Sequence, residues 1–402
     1  MLKIKNGLRM YLIKLISKKR NYFSIGKDYT KSISIIIHND TLFSAICNNF
    51  RKIYGKEDLE DFLGQITELE NNEGILFELS SCFHYIDIYK NDEYYDTIYF
   101  LPRPLIRFPL DTHSQAYLDE NPKLFKKIQF ISFEIVRKLQ KGQNISLSQF
   151  HIIDGKYLVD EKDLENLGLE KFISQMENPD LKLEKINRAI RRKINIYEIL
   201  DEQKVRINRI IQESEPFTWS KLKFRSSKYY VIERDNEINY ELRPGFYFLF
   251  NYNGFTEDII NKVNASIKLI IDEGLGGKRS IGCGLFDDIN VTELDKDFEY
   301  FDIFEKKDNG YYTNLSLVYP SIDEIGNVKY FNLYGRSGFV FSFDNISKRF
   351  NDVKFIEEGA IFDKKIRGKL IQVASDEFVS EYHKVFKNGI GIYLNIGEVG
   401  VD

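Results

Sequence analysis

Two stretches carry apolar residues at helical spacing. In DTLFSAICNNFRKIYG, residues 40–55, Leu42, Ile46, Phe50 and Ile53 or Tyr54 share one face. The spacing predicts an amphipathic helix, with Asp40 at the N-cap and Gly55 at the end. In TEDIINKVNASIKLIIDE, residues 256–273, Thr256 takes the N-cap position, and Ile259, Ile260, Val263, Ile267 and Ile270 or Ile271 form the stripe. Shorter apolar runs predict strands: GLRMYLIKLI (7–16), isoleucine-rich SISIIIH (32–38), GILFELSS (74–81), TIYFLPRPLI (97–106), GFYFLFNY (245–252) and GLFDDINV (284–291). The resulting βαββαβ order suits an α+β, ferredoxin-like fold, the topology of RNA-recognition domains, interrupted by a long insertion at about 110–240.

Within the insertion, PDLKLEKINRAIRRKINIYEIL (179–200) reads as a helix whose face carries Lys185, Arg188, Arg191, Arg192 and Lys193. That face is either solvated or an anion-binding surface. After about residue 296 the pattern changes to short strand-like runs broken by Gly and Asn: YYTNLSLVYP, YFNLYGRSGFVFS, VKFIEEGAIF, GKLIQV and NGIGIYLNIG. The chain therefore divides into residues 1–295 and a smaller β-rich unit, 296–402.

Charge narrows the function. The 57 basic and 61 acidic residues give a net charge of −4, unlike a general nucleic-acid binder, so nucleic-acid contact has to be local. The first 27 residues hold Lys3, Lys5, Arg9, Lys14, Lys18, Lys19, Arg20 and Lys27 and no acid. Arg9 and Lys14 interrupt the apolar run that an export signal keeps unbroken, and no stretch approaches the roughly 18 apolar residues of a membrane span. Cys47, Cys82 and Cys283 form neither a disulfide framework nor a zinc pattern. The expectation is a cytoplasmic protein without metal or cofactor.

The densest chemical signal is GLGGKRSIGCG, residues 274–284, with five glycines around Lys278 and Arg279. It is not a P-loop. The first glycine of that motif would fall on Asp272 and its Ser/Thr on Arg279, and the loop follows its helix where a P-loop precedes one. Glycine permits positive φ and close approach, so the loop suits a phosphate backbone, with N–H groups in a concave nest and two cations beside them. A plain turn with two solvated cations is the alternative. The five histidines are scattered; His38, beside Asn39 and Asp40, is the candidate general base of an RNA-cleaving reading.

Several motifs in order, HNDTLFSAICNNFRKIYG, FELSSCFHYI followed by FLPRPL, GLGGKRSIGCGLF, YGRSGFVFS and IEEGAIF, resemble the RAMP proteins that form subunit four of type III-A CRISPR (Csm) interference complexes. The resemblance implies two ferredoxin-like domains, the first with a thumb-like insertion, and a non-catalytic scaffold. It implies binding to the five-prime repeat tag of the CRISPR RNA (crRNA), the large signalling and DNase subunit, and a backbone RAMP subunit. The RNA contacts it implies are Gly274, Gly276, Gly277, Lys278, Arg279, Ser280, Gly282 and Gly284 in the loop, and Asn39, Asp40, Thr41 and Ser44 around the first helix. Arg103, Asn208, Arg209 and Arg336 complete the set. The family's Arg-Asn-rich motif is matched in part by VRINRIIQ, where Ile207, Ile211 and Gln212 replace polar residues. Two other readings compete: a metal-independent CRISPR RNA-processing endoribonuclease of the RAMP group, and a small-phosphate-binding module.

Overall fold

The computed structural model describes residues 9–17, 21–26, 33–68, 76–148, 151–169, 194–208, 213–233, 236–305, 309–339, 348–398 and 400. Its first two-thirds contain β1 (Arg9–Ile16), β2 (Tyr22–Phe23), α1 (Asn39–Tyr54), α2 (Lys56–Glu68), β3 (Leu76–Leu79), β4 (Phe83–Lys90), β5 (Glu93–Pro102), β6 (Phe130–Ser132) and α3 (Phe133–Gln140). Two long hairpins follow, β7 (Tyr197–Asn208) with β8 (Glu213–Phe224) and β9 (Ser227–Glu233) with β10 (Asn236–Asn253). Then come α4 (Glu257–Lys268) and β11 (Asp288–Glu293).

A ten-stranded sheet organises this part, with the antiparallel order β11-β1-β10-β4-β5 at its centre. Four of these strands alternate with helices along the chain: α1 separates β1 from β4, and α4 separates β10 from β11. β10 lies between β1 and β4 and is covered on both faces, and Phe246 to Phe250 are completely buried. That burial explains why its sequence is a continuous apolar run and not an alternating one. Side chains of opposite parity reach opposite layers. Phe250 stacks edge-on against Phe77, which meets Phe43 of α1 and Phe62 of α2. Tyr247 instead meets Tyr99 and Phe133 of α3.

Both periodic helices form where the apolar spacing predicts. In α1, Leu42, Ile46 and Phe50 are buried and the stripe continues through the half-buried Tyr54, which meets Phe50, and not through Ile53, which is 44% exposed. In α4, the Thr256 side chain accepts from the Ile259 N–H, and Ile260, Val263 and Ile267 are buried. Asn49 Nδ2 donates to the Ser266 carbonyl at 3.0 Å and ties the two helices together.

Three local expectations differ from the structure. The isoleucine-rich segment expected as a strand makes only an isolated bridge in its described part, Ile37 to Cys82. Strand propensity there is overridden by the packing of Ile37, which is fully buried. The N-cap of α1 is His38, not Asp40; the His38 side chain makes no capping bond, and Asp40 lies in the first turn with its carboxylate turned elsewhere. The expected basic helix over 179–200 lies outside the described residues up to 193, and its last residues, from Tyr197, begin strand β7.

The C-terminal part contains β12 (Tyr311–Asn314), β13 (Val328–Tyr330), β14 (Leu333–Arg336), β15 (Val353–Ile356), β16 (Ile361–Phe362), β17 (Gly368–Gln372), β18 (Phe386–Ile390) and β19 (Tyr393–Gly397). They form a four-stranded sheet, β13-β16-β12-β19, and two separate pairs, β14 with β15 and β17 with β18. Leu315, Ile390, Leu394 and Ile396 join the same buried cluster as the central sheet. The hydrophobic core is therefore continuous from one part to the other.

Candidate nucleic-acid interface

The glycine loop is built by close backbone approach. The short helix Ile270–Glu273 ends at Gly274, whose φ is 72°. The Leu275 N–H then bonds the Gly284 carbonyl at 2.8 Å, Gly277 N–H bonds the Ser24 carbonyl at 2.8 Å, and Gly284 N–H bonds the Tyr22 carbonyl at 2.7 Å. The loop is thus laced to β2. Side chains are excluded at the crossing points: a Cβ on Gly276 (φ 86°) would lie 2.7 Å from the Ser24 oxygen, and one on Gly284 (φ 75°) would lie 1.9 Å from the Leu275 oxygen.

This lacing corrects the nest expected from sequence. The N–H groups of Gly277, Gly282 and Gly284, with those of Leu275, Ile281 and Cys283, bond inside the fold and do not converge on a phosphate. The glycines instead hold the loop down so that its tip projects. Lys278 stands in the left-handed region at φ 58° and opens the 3-10 turn Arg279–Ile281. Lys278 and Ser280 are exposed, and Ile281 is 62% exposed. Arg279 is half-buried and donates to the Glu273 carbonyl at 3.2 Å, so Lys278 is the fully projecting cation of the pair.

Beside the tip, β2 pairs with β8, bringing Tyr22 opposite Lys223. Lys221 Nζ lies 4.7 Å from the centre of the Tyr22 ring and 5.2 Å from Trp219. Lys223 is 5.3 Å from Tyr22, and Lys204 on β7 is 5.6 Å from Trp219. Glu202 pairs with Lys221 and Lys204, and their hydrogen bonds hold its carboxyl below the ordinary range. Glu198 pairs with Arg225 at 2.9 Å and Lys223 at 3.8 Å. Four cations thus face two carboxylates, interleaved with aromatic rings, as single-stranded RNA favours. Sequence reading missed these lysines, although the alternation in SKLKF was a signal, because period two puts Lys221 and Lys223 on one face.

A separate cleft of about 630 Å³ collects several sequence motifs: Ile35, His38, Arg103, Gln129, Tyr334 and Glu358 all line it. The Arg103 guanidinium lies 4.1 Å from the centre of the Phe125 ring and donates to the Phe125 carbonyl at 3.1 Å. His38 Nδ1 is 2.9 Å from Glu358 Oε1, and its ring packs 4.3 Å from Tyr334. Burial would raise the Glu358 carboxyl, but His38 and the hydrogen bonds from His38 and Ser81 outweigh it and hold the group low.

The residues around the first helix are placed differently from the expectation. Asn39 is fully buried: its N–H bonds Ser81 Oγ at 2.9 Å, its Oδ1 accepts from Leu317 N–H at 2.9 Å, and its Nδ2 reaches the carbonyls of Leu317 and Asn388. Asp40 is also fully buried, with Arg336 Nε at 2.8 Å and Lys387 Nζ at 3.1 Å. Arg336 also donates to Thr41 Oγ1 at 2.6 Å, and Ser44 Oγ donates to the Asp40 carbonyl at 2.8 Å. Three successive residues, His38, Asn39 and Asp40, therefore clamp the C-terminal part onto α1. Asn39, Asp40 and Arg336 are buried in that clamp, which leaves them no exposed face for a phosphate, and half-buried Thr41 accepts a hydrogen bond from Arg336.

Asn208 ends β7, opposite Glu213, and Arg209 lies outside the described residues. Of the basic N-terminal segment, Lys14 is buried on Asp87, and Lys3, Lys5, Lys18, Lys19, Arg20 and Lys27 lie outside the described residues. Among the described residues no cluster of His, Cys, Asp and Glu is placed to hold a metal ion, and no helix is long and apolar enough to cross a membrane.

The family model for the RAMP superfamily matches residues 30–287, and that for the CRISPR Csm4 C-terminal domain matches 307–396. The "CRISPR system Cms protein Csm4" of Methanocaldococcus jannaschii is 32% identical over 386 residues, covering 91% of this chain and 89% of that one. The chain belongs to the Csm4 family of RAMP proteins. A chain of the solved Csm3–Csm4 subcomplex in the type III-A CRISPR-Cas interference complex is similar over 96% of this chain and 99% of its own, with 25% identity and a TM-score of 0.59. A chain from a Csm1–Csm4 cassette in complex with cA4 is similar at 16% identity, with a TM-score of 0.48 over 98% of this chain and 99% of its own. Csm4 membership accounts for the joint presence of the glycine loop and the clamped C-terminal part, since each is matched by its own family model.

Proposed function

We propose that this chain holds the five-prime repeat tag of a crRNA and acts as a cytoplasmic scaffold in a type III-A CRISPR interference complex for antiviral defence. It joins the large signalling and DNase subunit to the filament of backbone RAMP subunits. The observation that carries the reading is the projecting Lys278 tip, held down on β2 beside lysines interleaved with Tyr22 and Trp219. An RNA strand crossing β2 meets phosphate-binding cations on the loop side and the half-buried Tyr22 ring beside the hairpin, while Trp219, 6% exposed, backs the lysines from within the fold. The pairing of a similar chain with Csm3 supports the backbone contact, and family membership supplies the large subunit as the other neighbour.

In this reading the chain comprises two ferredoxin-like units, 1–295 and 296–402. The β11-β1-β10-β4 order, with α1 and α4 as its connections, is what the first unit requires. The β7–β8 hairpin lies within the insertion at about 110–240 and serves as the thumb. In this reading the chain acts as a scaffold and not as an enzyme, with the buried His38 engaged by Glu358 as part of the clamp.

Replacing Lys278 and Arg279 together with alanine is expected to weaken tag-RNA binding at a stability cost of about 1 kcal/mol, since Lys278 is exposed and half-buried Arg279 gives up one hydrogen bond to the Glu273 carbonyl. The log–log salt slope should flatten by roughly 0.7 for each phosphate that the variant no longer neutralises. Fluorescence titration at several salt concentrations checks both, and an unchanged affinity and slope refutes the phosphate role. The same preparations should leave repeat RNA intact with or without divalent metal; cleavage abolished by His38→Ala would favour the endoribonuclease.

A further inference from the structure

A second concavity lies away from the loop, between α1, α2 and the C-terminal part. Its volume is about 520 Å³, within the roughly 300–1,000 Å³ of binding pockets. Phe43 and Cys47 of α1, Leu59 and Leu63 of α2, and Phe350 and Phe386 of the C-terminal part supply its apolar surface. Its rim is predominantly cationic. Arg51, Lys56 and Lys384 stand there against one carboxylate, Glu60, which is 3.7 Å from Lys56 in an exposed pair. Lys387 also lines the groove, but its ammonium turns inward to Asp40.

We propose that this groove docks a segment of a neighbouring protein subunit that carries apolar anchors between acidic residues. Charge complementarity selects the acidic flanks, and the half-buried Leu59 and Leu63 select the apolar anchors. RNA fits less well, because Phe43 and Phe350 are 1% and 7% exposed and offer no stacking face. A small enclosed ligand also fits less well, because the apolar surface continues outward to Phe339, which is 69% exposed. An extended partner follows such a surface beyond the cavity.

The proposal rests on the assembly half of the proposed function, and the test separates the two. The full chain is co-expressed with the Csm1-type and the Csm3-type subunit in turn, and complex formation is measured by size exclusion and titration. Leu59→Asp with Leu63→Asp should weaken binding to one of the two subunits by about 30-fold or more, the scale of interface hot spots. Lys384→Glu, an exposed change that cannot unfold the core, should weaken the same complex about 5-fold and flatten its salt dependence. Tag-RNA binding by the isolated variants should stay at the wild-type level. Wild-type affinity for both subunits in both variants overturns the groove while leaving the assembly reading intact. Failure of the unaltered chain to bind either subunit overturns both. Self-association of the isolated chain that the double variant abolishes assigns the groove to a second copy and also overturns the proposal.

Discussion

Asp40→Asn is expected to destabilise the protein by about 3–5 kcal/mol, the scale for breaking a buried ion pair by neutralising one partner. The change keeps the size of the side chain but leaves Arg336 and Lys387 buried without their counter-charge. Burial by itself would raise the Asp40 carboxyl; Lys387, Arg336 and His38 outweigh it and hold it well below the usual carboxylate range. A depressed folded-state pKa contributes stability that is present above the unfolded value of about 4 and lost as pH falls toward the folded value. The wild type should therefore lose this contribution on acidification below about pH 4, and the variant should lack that acid-dependent component. Denaturant unfolding at pH 7 and along an acid series measures both effects. In a double-mutant cycle with Arg336→Gln the double change should cost less than the sum of the single changes, because each single change leaves the other member of the Asp40–Arg336 pair buried without it and the double change leaves neither. A loss below about 1 kcal/mol at neutral pH would mean that the clamp does not hold the C-terminal part.

Gly284→Ala is the second large effect, expected at about 3–5 kcal/mol, the upper end for single substitutions. The new methyl group would sit 1.9 Å from the Leu275 oxygen, a backbone atom that is itself the loop's neighbour across the Gly274–Gly284 closure. Relief requires the Leu275–Gly284 hydrogen bond to open and the loop to lift from β2. Gly282→Ala is the internal comparison. Its φ is 89°, but nothing lies within 4 Å of its Cβ position, so it should cost only about 1–2 kcal/mol of backbone strain. RNA affinity should fall in Gly284→Ala even with Lys278 and Arg279 intact, because the tip would no longer be held beside Tyr22 and Lys221. Equal stability of the two variants would disprove the close-approach account.

The two periodic helices, α1 and α4, and the central apolar strands were legible from the chain alone because their signals are local. A stripe such as Ile260, Val263 and Ile267 needs only a 3.6-residue period to appear, and GFYFLFNY needs only length and composition. The loop was legible for the same reason, since five glycines around two cations constrain the backbone whatever surrounds them. Motif order also indicated the family, and the similarity to Csm4 chains bears it out. Contacts between distant positions were hidden. Asp40 reads as an N-cap until Arg336, 296 residues away, claims its carboxylate. Lys14 reads as surface charge until Asp87 crosses the sheet to bury it. SISIIIH has strand-forming residues, yet strand formation needs a paired partner, and its described part makes one isolated bridge, Ile37 to Cys82. The interleaving of Tyr22 with Lys221 and Lys223 arises from one β2–β8 pairing across about 200 residues. Local spacing carries periodicity and backbone permission; which charges meet, and which are left facing solvent, follows from strand register and from how the C-terminal part closes on α1.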